Sequence, residues 1–348
     1  MVAADAPRIT LFLPGLFTLP LREAPAALLA GLGLPVLARL LGRGAAAPAP
    51  ARGIETALFH LFGHPTREPP SAAAATAVMD GVAADGHWVL RADPVHLHTD
   101  ISKAILFGPD TFRLDAAEAT ALVRDIVPLA AARDWRLEMP APARWYLVAD
   151  EPLTIEAGSP KRLAGADVRR HLPGGPEGAQ WRGVLNEIQM TLHDHPVNRA
   201  REARGEPVVN SLWIWGGGVP VAPGAHRWTG VWGGDDLLRA LAGEAWRGPA
   251  PAAAPPPRDM APGVHLFMVE DAWQAVCYGD VEAWREALGT VERNWLAPLE
   301  EALRGGAIAE LVLHTENRSL ALDRRAARRW WRRPVAPVAV DLWQVLER

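Results

Sequence analysis

Three short runs of almost purely apolar residues constrain this chain more than any other feature: Ile9–Leu13 (ITLFL), Val264–Val269 (VHLFMV) and Glu310–Leu313 (ELVL). Each breaks off into a turn or a polar loop: Pro14-Gly15, Glu270-Asp271, and His314 through Arg318. Runs this short and this apolar read as buried strands. Helical periodicity follows them at both ends of the chain, which predicts a doubly wound α/β core. In such a sheet, ligands lie outside the carboxyl ends of the strands. With Ser211–Trp215 (SLWIW) read as a further strand of that core, four loops are expected to converge: Pro14-Gly15, Gly216 to Gly218, Glu270-Asp271 and His314 to Arg318.

At 348 residues the chain is longer than the ~250–300 residues at which single cores stop growing. The segment 81–205 reads as an inserted α+β domain with its return helix, leaving 1–80 and 206–348 as the core. Within the insertion, Trp88–Leu97 predicts a strand turning at Asp93-Pro94, and Ile105–Phe107 with Phe112–Leu114 a hairpin around Gly108-Pro109-Asp110. Ala116–Ala132 predicts an amphipathic helix capped by Asp115, and Arg144–Ala149 another strand. Trp181–His193 is helical, with Val184, Leu185, Ile188 and Leu192 on one stripe. In the core, Pro25–Leu41 predicts two short helices divided by Gly33 and Pro35, and Glu55–Phe62 a helix stopped by Gly63 and Pro65. Leu237–Ala242 is helical, and Asp280–Leu303 is a helix broken near Pro298. Ala45–Ala51 and Pro249–Pro257 read as disordered or polyproline-like connectors.

Apolar residues at 49% and charged ones at 22% describe an ordinary soluble globular protein, and a net charge of −4 gives no electrostatic footprint for nucleic acid. The basic run Arg324–Arg333, interleaved with Trp330 and Trp331, reads as a solvated helix end with stacked Arg–Trp pairs. Cys277 is the only cysteine, so neither an internal disulfide nor a Cys-x-x-Cys metal knuckle is available, and a reducing compartment fits. With no basic leader and no run of about 18 apolar residues, the expectation is a cytoplasmic protein with no membrane segment.

The densest polar chemistry lies between Leu192 and Pro220. Its candidate ligand-binding residues are His193, His195, Asn198, Arg201, Asn210, Trp213, Trp215 and Gly216, Gly217 and Gly218, joined by Arg91, Asp93 and His96. His193 and His195, two apart, do not give the i, i+4 spacing of a helical zinc site; the plainer reading has each ring bonded to backbone, with His195 fixing the turn at Pro196. His96 and His98 share one face of a strand, with Asp93 and Asp100 nearby, as a metal pair or as a chance pairing. Gly216 to Gly218 suit a phosphate cradle of backbone N–H groups, or a turn that gives Trp213 and Trp215 clearance. Arg91, Arg199 and Arg201 suit bidentate grip on an anion, or plain solvation. Of the fifteen tryptophans, Trp213, Trp215, Trp228 and Trp232 are candidates for an aromatic pocket or a protein interface.

Several phrases carry a resemblance. Gly53-Ile54-Glu55-Thr56-Ala57 with Leu61-Phe62-Gly63-His64-Pro65, followed much later by His195-Pro196-Val197-Asn198, Arg201, Gly205, Asn210 and the three glycines, resembles cofactor-independent phosphoglycerate mutases of the archaeal type, members of the alkaline-phosphatase-like superfamily. Trp88 to Leu97 (WVLRADPVHL) and Leu185 to Met190 (LNEIQM) resemble the bacterial RpfE-type regulatory proteins, a phosphoglycerate-mutase-like group. The resemblance implies an alkaline-phosphatase-like core and a site in which two divalent metals activate a Ser or Thr nucleophile. The matching positions lack those side chains. The first-strand Asp falls on Pro14, the nucleophile on Ile54, and the late Asp-His pair on Glu316-Asn317-Arg318; Asp271 and Glu316 are the remaining carboxylates. The expectation is a protein without cofactor that keeps the fold, has lost phosphoryl transfer, and binds a small anionic metabolite or a protein partner. The alternative is an active two-metal mutase or phosphatase using Asp93, His96, Asp271 and Glu316.

Overall fold

The computed structural model describes residues 6–20, 29, 31–48, 53–64, 71–82, 86–99, 103–109, 111–153, 155, 157–163, 167–171, 175–220, 224–335 and 344–345. The chain forms two compact units, Met1–Pro69 with Gly224–Glu347, and Pro70–Pro223.

The first unit is built on a seven-stranded sheet, in the order Trp246–Gly248, Gly230–Trp232, Val264–Met268, Arg8–Phe12, Glu310–His314, Arg318–Asp323, Ala45–Pro48. The first five strands are parallel; Arg318–Asp323 runs antiparallel to them, and Ala45–Pro48 pairs antiparallel with Arg318–Asp323. Arg8–Phe12 lies between two parallel neighbours and is buried from Ile9 onward, which is why it reads as a continuous apolar run rather than an alternating one. Helices Pro35–Arg43, Ile54–Leu61, Asp236–Ala242, Asp271–Tyr278, Val281–Val291, Ala297–Gly305 and the short Arg324–Ala327 belong to this unit.

The break expected near Pro298 is a π turn, Glu292–Leu296, just ahead of a residue that has no N–H to donate. That turn has a second use. The buried Glu292 carboxylate accepts Val36 N–H at 2.5 Å and Leu37 N–H at 3.1 Å, capping a helix whose own N-cap, Leu34, has no acceptor side chain. Burial raises the Glu292 carboxyl above its ordinary value.

Two expectations about connectors change. Ala45–Pro48 is an edge strand paired with Arg318–Ala321, a position where a terminal proline is tolerated because one edge needs no donors; residues 49–52 lie outside the described residues. The Pro249–Pro257 segment is irregular but pinned: Ala254 N–H donates to the Asn294 carbonyl, and the Asn294 amide donates to the Ala252 carbonyl.

The second unit carries an antiparallel sheet. Ala104–Phe107, Trp88–Thr99, Arg144–Ala149 and Arg136–Ala141 run in that order, and Ser211–Gly218 pairs with Trp88–Thr99 along Val89–Val95. Ser211–Trp215 was expected in the core sheet with Gly216 to Gly218 as its loop; pairing with Trp88–Thr99 places the strand here and carries it through Gly218. Period-two alternation explains the layering. Leu90 and Ala92 face a core shared with helices Ala116–Ala131 and Gly175–His193, while Val89 faces Ala77 on helix Ala72–Met79. The Asp115 cap is present as a full capping box with Glu118.

Asp93-Pro94 does not turn the chain. Residues Ala92–Val95 pair on one side only, with Ser211–Ile214, and a strand tolerates proline there. The hairpin likewise shifts. Ala104–Phe107 pairs back onto His96–Thr99, while Thr111 N–H closes a turn onto the Gly108 carbonyl; Asp110 lies outside the described residues.

Candidate functional site

Three segments of the first unit meet at one buried carboxylate, Glu316, which is 6% exposed. One of its oxygens accepts the Gly15 N–H at 3.1 Å, the other accepts the Thr18 hydroxyl, and its carbonyl accepts the Gly53 N–H at 3.1 Å. The loop after the central strand, the start of helix Ile54–Leu61 and the loop after Glu310–His314 are thus tied together at the carboxyl edge of the sheet. Burial raises the Glu316 carboxyl above its ordinary value, against the opposing pull of the bonds from Thr18 and Gly15.

Gly15 is required by this geometry. It has φ of 80°, and a Cβ there would lie 2.8 Å from the backbone nitrogen of Trp273 on helix Asp271–Tyr278. The Gly15 carbonyl accepts the Trp284 indole N–H at 3.0 Å. Replacing Glu316 by Ala strands the Gly15 N–H and the Thr18 hydroxyl away from water, and is expected to lower unfolding free energy by about 1–3 kcal/mol in chemical denaturation. An unchanged midpoint would remove Glu316 from this role.

His314 lies beside this knot. It is 5% exposed, tilted against Phe12 at 5.7 Å, and its Nε2 has no hydrogen-bond partner among the described residues. Burial, helped by the proximity of His60, lowers its pKa to about 4.

Asp271 stands elsewhere on the same edge, in the first turn of its helix. Together with Glu270, Gln274, Thr290, Met268 and Trp295 it lines an open cleft of about 320 Å³ beyond the carboxyl ends of Gly230–Trp232 and Val264–Met268. Two adjacent carboxylates over a partly apolar floor favour a cation or a hydrogen-bond donor over an anion.

The donor set at the Glu316 knot does not match two divalent ions. Pro14 and Ile54 offer no donor atom, Arg318 is cationic, and both Glu316 oxygens are occupied by N–H and O–H donors.

The ligand-binding candidates all fall in the second unit, and most are tied to their own fold. Arg91 donates to Asp93 from Nε at 2.9 Å and from a terminal nitrogen at 2.6 Å, and its guanidinium sits 5.5 Å from the ring centroids of both Tyr146 and Trp215. The Trp215 indole N–H donates to the second Asp93 oxygen at 2.7 Å. Trp213 donates to the Gly158 carbonyl.

His195 caps helix Pro196–Ala203, its Nδ1 accepting the Val197 N–H, and its Nε2 lies 3.2 Å from Asp125. Asn198 bonds to the Leu192 and Val209 carbonyls and the Val209 N–H. Arg201, 1% exposed, donates to Glu118 and to the Pro207 and Arg113 carbonyls. Asn210 pairs with both backbone groups of Leu97, and His96 with the Val208 carbonyl. Burial lowers the His96 pKa. His193 is exposed at the end of its helix.

Gly216 to Gly218 continue their strand rather than forming a loop. A Cβ on Gly217 would meet the Trp88 indole at 2.7 Å and one on Gly218 the Ser71 Cβ at 2.4 Å, so these glycines admit close neighbours. Trp213 and Trp215 belong to this unit, Trp228 and Trp232 to the other. Of the residues that matter at the Glu316 knot, Thr18 carries no signal in the sequence beyond its type, and Gly53 enters only as the start of the phrase Gly53-Ile54-Glu55-Thr56-Ala57.

No family model matches the chain. The 2,3-bisphosphoglycerate-independent phosphoglycerate mutase of Methanothrix thermoacetophila is 33% identical over 164 residues, 44% of this chain and 37% of that enzyme. The enzyme of the same description from Methanosarcina barkeri is 34% identical over 77 residues, 22% of this chain and 19% of its own length. The chain therefore matches well under half the length of these relatives. Among solved structures, the PH0037 protein of Pyrococcus horikoshii is similar in fold, with a TM-score of 0.52 at 16% identity, over 99% of this chain and 94% of that one. The chain is thus similar to cofactor-independent phosphoglycerate mutases, with a mixed α/β fold. No helix among the described residues is long and apolar enough to cross a membrane.

Proposed function

We propose that this chain is a phosphoglycerate-mutase-like protein that has lost the two-metal phosphoryl-transfer site and acts in the cytoplasm, as RpfE-type proteins would, as a regulatory or binding protein. Its ligand is a small anionic metabolite or a protein partner. The observation that carries the reading is the Glu316 carboxylate. At the carboxyl edge of the sheet, where the resemblance calls for metal ligands, it holds Gly15 and Thr18 instead. A carboxylate whose two oxygens already accept buried donors gains little by turning to a cation, and would strand those donors if it did.

Two assays test this. Phosphoglycerate isomerisation and phosphate-ester hydrolysis, measured with added manganese, magnesium or zinc, are expected to stay at background; metal-dependent turnover would overturn the proposal. Thermal unfolding against a panel of phosphorylated metabolites then separates the two ligand classes. A ligand bound only by the folded state raises stability by RT ln(1 + [L]/Kd). A shift with one anion identifies a metabolite sensor, and none with any anion assigns the role to a protein partner. Arg91 and Arg201 are both held by carboxylates, which supports the partner class.

A further inference from the structure

His96 and His98 lie two residues apart on strand Trp88–Thr99, so both rings leave the same face of the sheet. Their centroids are 6.4 Å apart, and the planes are inclined by 33°. His96 is fixed from two sides. Its Nδ1 lies 3.0 Å from the Val208 carbonyl, and its ring packs at 5.9 Å against Phe107, its cross-strand neighbour. A carbonyl can only accept, so Nδ1 carries the proton and the lone pair of the neutral ring resides on Nε2. A backbone carbonyl holding one ring nitrogen is the usual support for a histidine whose other nitrogen binds a metal. His98 sits near the end of the same strand, its backbone paired with Ile105 and its side chain exposed, so its ring has room to turn toward His96.

We propose that His96 and His98 form a two-histidine site for a borderline divalent transition ion of the zinc class, with the remaining coordination positions open to water or to a ligand from solution. Imidazole nitrogens suit zinc, nickel and copper, and not the harder magnesium or calcium. The required adjustment is small. Two imidazoles sharing one tetrahedral ion at the usual zinc–nitrogen distance have centroids roughly 5 Å apart. The exposed His98 ring therefore closes the present gap by little more than an ångström, while His96 stays in place. The site is independent of the function proposed above, since it rests on neither the sheet edge of the first unit nor any phosphate chemistry.

Titration of the full chain with zinc chloride, followed by calorimetry and by the imidazole proton resonances, is the test. One-to-one binding is expected, with the His96 and His98 resonances shifting together. His98→Gln and His96→Gln are each expected to weaken that binding at least about tenfold, and magnesium is expected to leave the two resonances unmoved. Because His98 is exposed, its variant keeps the fold, which the unfolding curve checks. Absence of one-to-one binding, or zinc affinity unchanged in His98→Gln, overturns the proposal. Metal-dependent phosphoglycerate turnover would bear on the function proposed above, whereas zinc affinity in His98→Gln, a residue outside the alternative ligand set Asp93, His96, Asp271 and Glu316, bears on this pair.

Discussion

Replacing Asp93 by Ala is expected to lower the stability of the second unit by about 3–5 kcal/mol, because it takes the carboxylate away from a buried arginine. Arg91 and Asp93 are 4% and 1% exposed, and one Asp93 oxygen receives both of the guanidinium bonds. The other receives the Trp215 indole. An isolated ion in such surroundings is far costlier than the intact pair is favourable, so the loss reflects the abandoned charge more than the vanished bonds. The double variant Arg91→Met/Asp93→Leu separates these two contributions. With both charges gone and side chains of similar volume present, most of the stability should return, save the share belonging to the Trp215 donor and the rings over Arg91. Urea midpoints of the single and double variants decide the matter; a double variant as unstable as Asp93→Ala would show that the pair stabilises through its geometry and not through charge compensation.

The same pair shows where sequence reading succeeds and where it stops. The strand entering at Trp88 was legible, as were the continuous apolar runs Ile9–Leu13, Val264–Val269 and Glu310–Leu313, because burial writes itself into residue type; that it runs on through Asp93-Pro94 instead of turning there was not. Side-chain partners across the fold leave no such trace. Arg91 was a plausible anion grip until Asp93 and Trp215 were placed beside it, and Arg201 until Glu118 was.

The three glycines read as a loop because glycine usually marks one. Here they stay in the strand: Gly217 and Gly218 make room for Trp88 and Ser71, neighbours distant in sequence, and Gly216 sits at φ of 70°. Ala45–Pro48 was missed for the opposite reason: an edge strand of alanines buries too little to show a period. The convergence of Pro14-Gly15 with the loop after Leu313 was legible from strand-order logic alone, and the structure adds that Glu316 is what joins them. Glu292 as a cap for a helix more than 250 residues earlier was legible from nothing in the sequence.

Acidification is expected to destabilise the first unit through His314, and the direction follows from linkage. In the unfolded chain this imidazole takes up a proton near 6.5, whereas in the folded protein burial holds its pKa at about 4. Between those values the unfolded state binds more protons than the folded one, so stability falls as pH is lowered from about 6.5 to about 4 and levels off below. The full interval corresponds to about 3 kcal/mol. His60 lowers the His314 pKa further, while Glu316, whose carboxyl is raised by burial, acts in the opposite sense as it protonates. The net slope of the wild type therefore mixes several groups, and the informative quantity is the difference between it and His314→Leu. That variant keeps the volume near Phe12, leaves no buried ring nitrogen without a partner, and lacks the titration. Its unfolding free energy should exceed that of the wild type by a margin that widens as pH falls from about 6.5 to about 4, whatever its value at neutral pH. Parallel pH profiles for the two proteins would mean that His314 protonates as readily folded as unfolded, and that the space around its Nε2 is open to water.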